Sequence, residues 1–253
     1  MQNYNSFWND IQIFIKYGCL REESFYDKIK DILIFKDLKG EYITLNDYLE
    51  ECKESHENKV YYVNNENEQG QYINLFKENN INAIILNCNI DNHFISFLEG
   101  KNLGVSFLRI DSDISDILKN SEEEDNTQDD KIKDIFTKVL KDKIENIKVE
   151  SLKNNEIPAL ITTSEQSRRM IEMSKMYGNL DMANMFKEEK TLILNKKNAI
   201  VNKLLSISDE SEKDIICKQV FDLARISSGN LNSKEMDEFI KRSNKIIEMN
   251  MKI

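Results

Sequence analysis

The 253 residues carry a formal net charge of -10, with 40% apolar and 32% charged residues. That balance describes a globular chain long enough for two domains with cores of their own, and it contains no run of about 18 apolar residues that could span a bilayer. The acidic excess disfavours non-specific nucleic-acid binding, which needs clustered Lys and Arg to displace phosphate counterions.

Phe7, Ile11, Phe14 and Ile15 recur at helical spacing, as do Phe25, Ile29, Ile32 and Leu33, so the first 55 residues read as helical, with Gly18 as a break. Asp10 and Lys16 interrupt the stretch from Phe7 to Leu20, unlike the apolar core of a secretion signal, so no export is expected. Thr44, three residues ahead of Asp47, reads as a capping box for a helix through Tyr48, Leu49 and Cys52. From Lys59 the pattern changes. Val60 to Val63, Ala83 to Leu86 and Val105 to Leu108 read as strands, separated by helical runs Tyr72 to Phe76 and Phe94 to Leu98. Strand, helix, strand, helix, strand implies right-handed crossovers and a small parallel three-stranded sheet, an α/β half.

Residues 111–130, DSDISDILKNSEEEDNTQDD, are mostly acidic or small and polar, and read as a linker with a domain boundary near residue 120. Ile132, Ile135, Phe136, Val139 and Leu140 then form a helical stripe, followed by strand-like runs at Ile147 to Glu150, Ala159 to Thr162 and Thr191 to Leu194. Pro158 stands at the start of the second run, where a missing N–H costs least. Everything after Ala199 reads as helical, so the second half is α+β and ends in helices.

Little of this offers catalytic chemistry. Cys19, Cys52, Cys88 and Cys217 form no C-x-x-C pair and fit reduced thiols in a cytoplasm, and with His56 and His93 as the only histidines, zinc sites and His-based triads have scant material. The loop Asn64 to Gly70 holds two carboxylates and one glycine, so it makes neither a dinucleotide fingerprint nor a phosphate loop. Cys88, Asp91 and His93 could in principle form a thiolate site; the alternative is a small buried thiol with Asp91 or Asn92 capping the next helix.

Two segments point to binding instead. Met170, Met173 and Met176 recur every three residues up to Tyr177, either as core or as an exposed amphipathic face of the adaptable kind that methionine suits. At the end, Ser211 with Asp214 reads as a capping box for a helix over about 213–229 that is stopped by Gly229, and Ser233 as the cap of a last helix over about 233–251. The apolar positions Val220, Leu223 and Ala224, then Met236, Phe239, Ile240, Ser243, Ile246 and Ile247, follow a 3-4 spacing. That face can pack on the preceding domain or on a second copy across a two-fold axis.

Several stretches resemble the bacterial heat-shock protein 90 chaperones: Phe7-Trp8 with Phe14 to Gly18, Tyr48-Leu49, Lys59 to Tyr62, Phe94 to Glu99, Ser164 to Met170, and Phe239 to Asn244. The resemblance runs in the family's order along nearly all of the chain except the acidic linker. It implies that residues 1–115 are like the distal part of the family's middle domain, that 116–130 link the two parts, and that 131–253 are like the C-terminal dimerisation domain. It also implies homodimerisation, binding of non-native client polypeptides, and co-chaperones as further partners. In the complete family protein, ATP and magnesium are bound by an N-terminal domain that has no counterpart here, so neither a cofactor nor hydrolysis is expected of this chain. By position the client contacts fall at His93, Phe94, Phe97, Met170, Met173, Met176 and Tyr177. The readings from outside the family are a cysteine-dependent enzyme using Cys88 and His93, or a structural adaptor that binds no client.

Overall fold

The computed structural model describes residues 2–56, 58–101, 104–112, 127–176, 188–229 and 231–251. They fall into two compact units, one within residues 1–112 and 169–184, the other within 113–168 and 185–253.

The first unit opens with helix α1 (Gln2–Arg21), which runs straight through Gly18 and is followed by α2 (Glu23–Ile29). The apolar spacing of α1 misplaces its buried face. Trp8, Gln12, Lys16 and Cys19 are buried, whereas Phe7 and Phe14 face solvent. The reason is a charge: Lys16 turns inward because Asp91 waits there, an exception that hydrophobic periodicity cannot see. The expectation of a wholly helical first 55 residues also fails between α2 and α3 (Leu45–His56), where β1 (Ile34–Lys36) and β2 (Tyr42–Thr44) form an antiparallel hairpin. Its turn is held by Asp37, whose Oδ1 accepts from the Lys39 and Glu41 amides. The Thr44 cap is as expected, its hydroxyl accepting from the Asp47 amide at 3.1 Å.

Strand β3 (Lys59–Val63), α4 (Gly70–Glu78), β4 (Ile84–Ile85), α5 (Asp91–Lys101) and β5 (Ser106–Arg109) follow the expected alternation. The strands lie in the order β4-β3-β5, both pairings parallel. The core gathers Trp8, Tyr48, Tyr62, Phe35, Phe94 and Phe107 around this sheet. Since β3 lies between β4 and β5, the loop after β3 and the residues after β5 meet beyond the carboxyl ends of these two strands, the side on which parallel sheets bind ligands.

The second unit holds α6 (Asp129–Leu140), β6 (Asn146–Glu150), β7 (Ala159–Thr163), β8 (Lys190–Asn195), the short α8 (Ala199–Lys203), and the long helices α9 (Glu210–Ser227) and α10 (Ser233–Met251). Helix α7 (Glu165–Met176) follows β7; its residues from Arg169 onward belong with the first unit. Strand β8 is central, parallel to β6 and antiparallel to β7. Ile132, Phe136 and Leu140 of α6 and Cys217, Val220, Phe221 and Ala224 of α9 close one core over this sheet. Asn195, fully buried at the end of β8, ties the connection between β6 and β7. Its amide donates to the Asn154 and Ile157 carbonyls, both at 2.9 Å, and its Oδ1 accepts from the Leu152 and Lys197 amides.

Both terminal helix caps sit one or two residues earlier than their spacing suggested. Asp209, not Ser211, caps α9 by accepting from the Ser211 amide at 2.8 Å. At α10 the reciprocal box is Asn232 with Glu235, each side chain accepting from the other's backbone amide at 3.1 Å, in place of Ser233.

Candidate functional site

The corner beyond β4 is organised by a buried ion pair. Lys16 Nζ lies 2.6 Å from Asp91 Oδ1, with side-chain exposures of 1% and 4%, and donates also to Gln12 at 2.8 Å. The second Asp91 oxygen accepts from the Cys88 amide at 2.8 Å. Asp91 thus holds the turn ahead of α5 and neutralises Lys16, a different task from the helix cap the spacing suggested. Burial pushes the Cys88 thiol up, and the Asp91 carboxylate adds to that against the opposing pull of Lys16. A thiolate nucleophile needs the reverse. A cavity of about 480 Å³ beside it is lined by Tyr62, Asn64, Leu86, Asn92 and Glu172, and His93 is not among its described lining residues. Cys19 and Cys52 are buried and pushed up to about 11, and Cys217 to about 12.

The carboxyl end of β3 and β5 does not suit a nucleotide phosphate. The amides of Asn64 and Asn65, which would have to point at an anion, both donate to Gln69 Oε1, at 2.9 and 3.0 Å. Gln69 in turn donates to Asp111 at 3.0 Å, and Arg109 chelates both oxygens of that carboxylate. A protein carboxylate already stands where a ligand's phosphate would bind, so these residues do not fit ATP. Among the described residues no group of three or more His, Cys, Asp and Glu side chains could hold a metal, and no helix is long and apolar enough to cross a membrane.

Helix α7 carries the methionines. Met170 is 40% exposed, Met173 is half-buried and Met176 closes the helix, while Tyr177 lies outside the described residues. Its polar side is held to the first unit: Arg169 pairs with Glu99 at 2.8 Å and donates to the Phe107 carbonyl at 2.6 Å, and Glu172 accepts from Asn92. On α5, Phe94 is a core residue with no exposed surface, which removes it as a direct contact in this conformation. Phe97 is half-buried, stacked on Phe94 and edge-on to Tyr26, and His93 is half-buried.

The terminal helices divide sharply. Val220 and Ala224 are buried in their own unit's core and so contribute rigidity to α9, with no free surface to offer. Helix α10 has no buried residue at all. A row of polar contacts joins it to α9: Gln219 donates to the Ser243 hydroxyl, Arg242 bridges Gln219 and Asp222, and Arg225 binds Glu235 at 2.7 Å. Sequence reading named the apolar positions and missed this polar seam, although Arg225 with Asp222 and Arg242 with Ser243 lie on the inner sides of the two stripes. Leu223, Ile240 and Ile247 remain exposed, at 39, 48 and 55%, together with Met249 and Met251; Met236, Phe239, Ser243 and Ile246 are half-buried.

Apolar helix faces left open on a polar-seamed pair are characteristic of proteins that assemble and bind partners. The Hsp90 protein family model matches residues 1–253, and the chain belongs to that family. It is similar to Chaperone protein htpG of Bacteroides fragilis (strain YCH46), with 32% identity over 212 residues that make up 79% of this chain and 31% of the relative. It is similar also to Chaperone protein HtpG of Buchnera aphidicola subsp. Cinara cedri, with 26% identity over 96% of this chain and 40% of the relative, and to that of Rickettsia canadensis, with 26% over 98% and 41%. The chain therefore spans about a third to two-fifths of the length of the relatives it matches.

Proposed function

We propose that this chain is a homodimerising, client-binding segment of an ATP-dependent chaperone, with residues 1–115 acting as a distal middle-domain part and 131–253 as the dimerisation domain. The observation that carries the reading is α10: a 19-residue helix with no buried residue of its own, whose apolar positions Ile240 and Ile247 stay exposed. An amphipathic helix at this position gains stability from a second copy, through Leu223, Ile240 and Ile247 surrounded by the half-buried Met236, Phe239 and Ile246. The interface should reach about 1,200–2,000 Å² in total, the scale of a stable complex.

Client binding is assigned to α7, where Met170 and Met173 offer flexible apolar surface, with Phe97 and His93 of α5 as secondary contacts. ATP, magnesium and co-chaperones belong in this reading to the complete protein, and no nucleotide step is given to residues of this chain. The four free cysteines accord with a cytoplasmic setting. Changing Ile240 and Ile247 together to Glu places charges on the proposed seam and should yield monomers in analytical ultracentrifugation; a persisting dimer would sink the assignment.

A further inference from the structure

Strand β5 is an edge of its sheet, and its outer side is where another strand could add. The Ser106 and Ile110 amides turn inward, donating to the Asn58 and Tyr62 carbonyls at 3.0 Å each. Phe107 between them turns outward. Its N–H donates to Glu99 Oε1 at 2.7 Å and its carbonyl accepts from Arg169 at 2.6 Å. Arg169 also binds Glu99 through both terminal nitrogens, at 2.8 and 3.3 Å. One ion pair thus gives Phe107 an acceptor and a donor, the two groups that a residue of a neighbouring strand would bring.

The helix that supplies the arginine is lightly held. None of Met170, Ile171 and Met173 is buried, whereas α5 is anchored by fully buried Phe94 and Ile95. A segment fixed by polar contacts and little apolar burial opens at small cost. Opening strands no buried charge, because the Arg169 and Glu99 side chains are already partly exposed and each can be hydrated when they part.

We propose that the outer edge of β5 is a strand-acceptor site, shut by the Arg169–Glu99 clamp, and that its ligand is an extended segment of non-native polypeptide whose own N–H and C=O replace the clamp at Phe107. This goes beyond the client surface on α7, since pairing through the main chain requires no apolar side chain and tolerates any sequence that can extend. It rests on the chaperone reading only in naming the source of the extended segment.

Fluorescence anisotropy of a labelled short peptide of alternating Val and Thr, beside a twin with every amide N-methylated so that neither edge can donate, tests the site on the full chain. Arg169→Gln should tighten binding of the first peptide by about tenfold, the equivalent of one charge-assisted hydrogen bond no longer to be displaced. Arg169→Lys, which keeps the charge and the fold but not the two-sided clamp, should tighten it less, and the methylated twin should bind weakly throughout. Equal affinities across the three proteins, or a twin that binds as well as its parent, overturn the proposal. Changing Met170, Met173 and Met176 to Ser should leave peptide binding intact even if it abolishes client binding; loss of the peptide in that variant assigns it to the apolar face and also overturns the strand-acceptor site.

Discussion

Replacing Lys16 by Met would leave the Asp91 carboxylate buried, with the Cys88 amide as its remaining described partner. Breaking a buried pair from one side costs about 3–5 kcal/mol, far more than the pair itself contributes. Lys16→Met should therefore lower the urea midpoint strongly, and adding Asp91→Asn should recover most of the loss; equal stability of single and double variants would contradict the pairing. His56 makes the complementary prediction. Its ring is buried between Tyr48 and Tyr61, Nδ1 is bonded to the Lys59 carbonyl at 2.8 Å, and buried Nε2 has no hydrogen-bond partner among the described residues. Desolvation lowers its pKa from the ordinary 6.5, so as pH falls through that value the unfolded chain takes up the proton first and stability is lost. Urea midpoints measured between pH 7 and 5.5 should fall more steeply for the natural chain than for His56→Gln.

Among the elements, the alternating strands and helices of residues 59–109 were legible because unbroken apolar runs of four, such as Ala83 to Leu86 around the two-residue β4, are set apart by polar loops. The β1–β2 hairpin was not, since three-residue strands leave no alternation to detect. The caps of α9 and α10 were ambiguous for a related reason: Ser208, Asp209 and Ser211 stand close together, as do Asn232 and Ser233, and the chemistry of a cap does not say which candidate comes last before the helix. Asp209→Ala should cost about 1 kcal/mol of stability, whereas Ser211→Ala should change little. On the binding elements, the 3-4 spacing identified α10 but could not tell that Val220 and Ala224 of α9 point into their own core. Phe94 was drawn into the candidate surface by its neighbours in the motif, while its burial is set by Phe35 and Phe97. Replacing Met170, Met173 and Met176 by Ser should reduce the chain's suppression of aggregation of an unfolded protein; full retention would argue against α7 as the client surface.

For the whole molecule, the proposed pairing through the exposed terminal helix would tie stability to protein concentration. If α10 is covered by a second copy, a tenfold increase in protein adds about 1.4 kcal/mol per mole of dimer to folding, and the melting temperature should rise accordingly. A transition independent of concentration, measured by calorimetry, would point to a folded monomer. The Ile240→Glu, Ile247→Glu variant should lose the dependence.

Asn195 adds a constraint on how long the protein lasts. Deamidation requires the Lys196 amide nitrogen to attack the Asn195 side-chain carbonyl carbon, but that amide is bound to the Glu150 carbonyl at 3.0 Å and the side chain is fixed by four hydrogen bonds. The folded unit protects its own staple. An unfolded copy does not, and an Asp formed there would return with a carboxylate oxygen facing the Asn154 and Ile157 carbonyls. Chemical ageing at this position should thus act as a ratchet, registering time spent unfolded and making the next refolding harder.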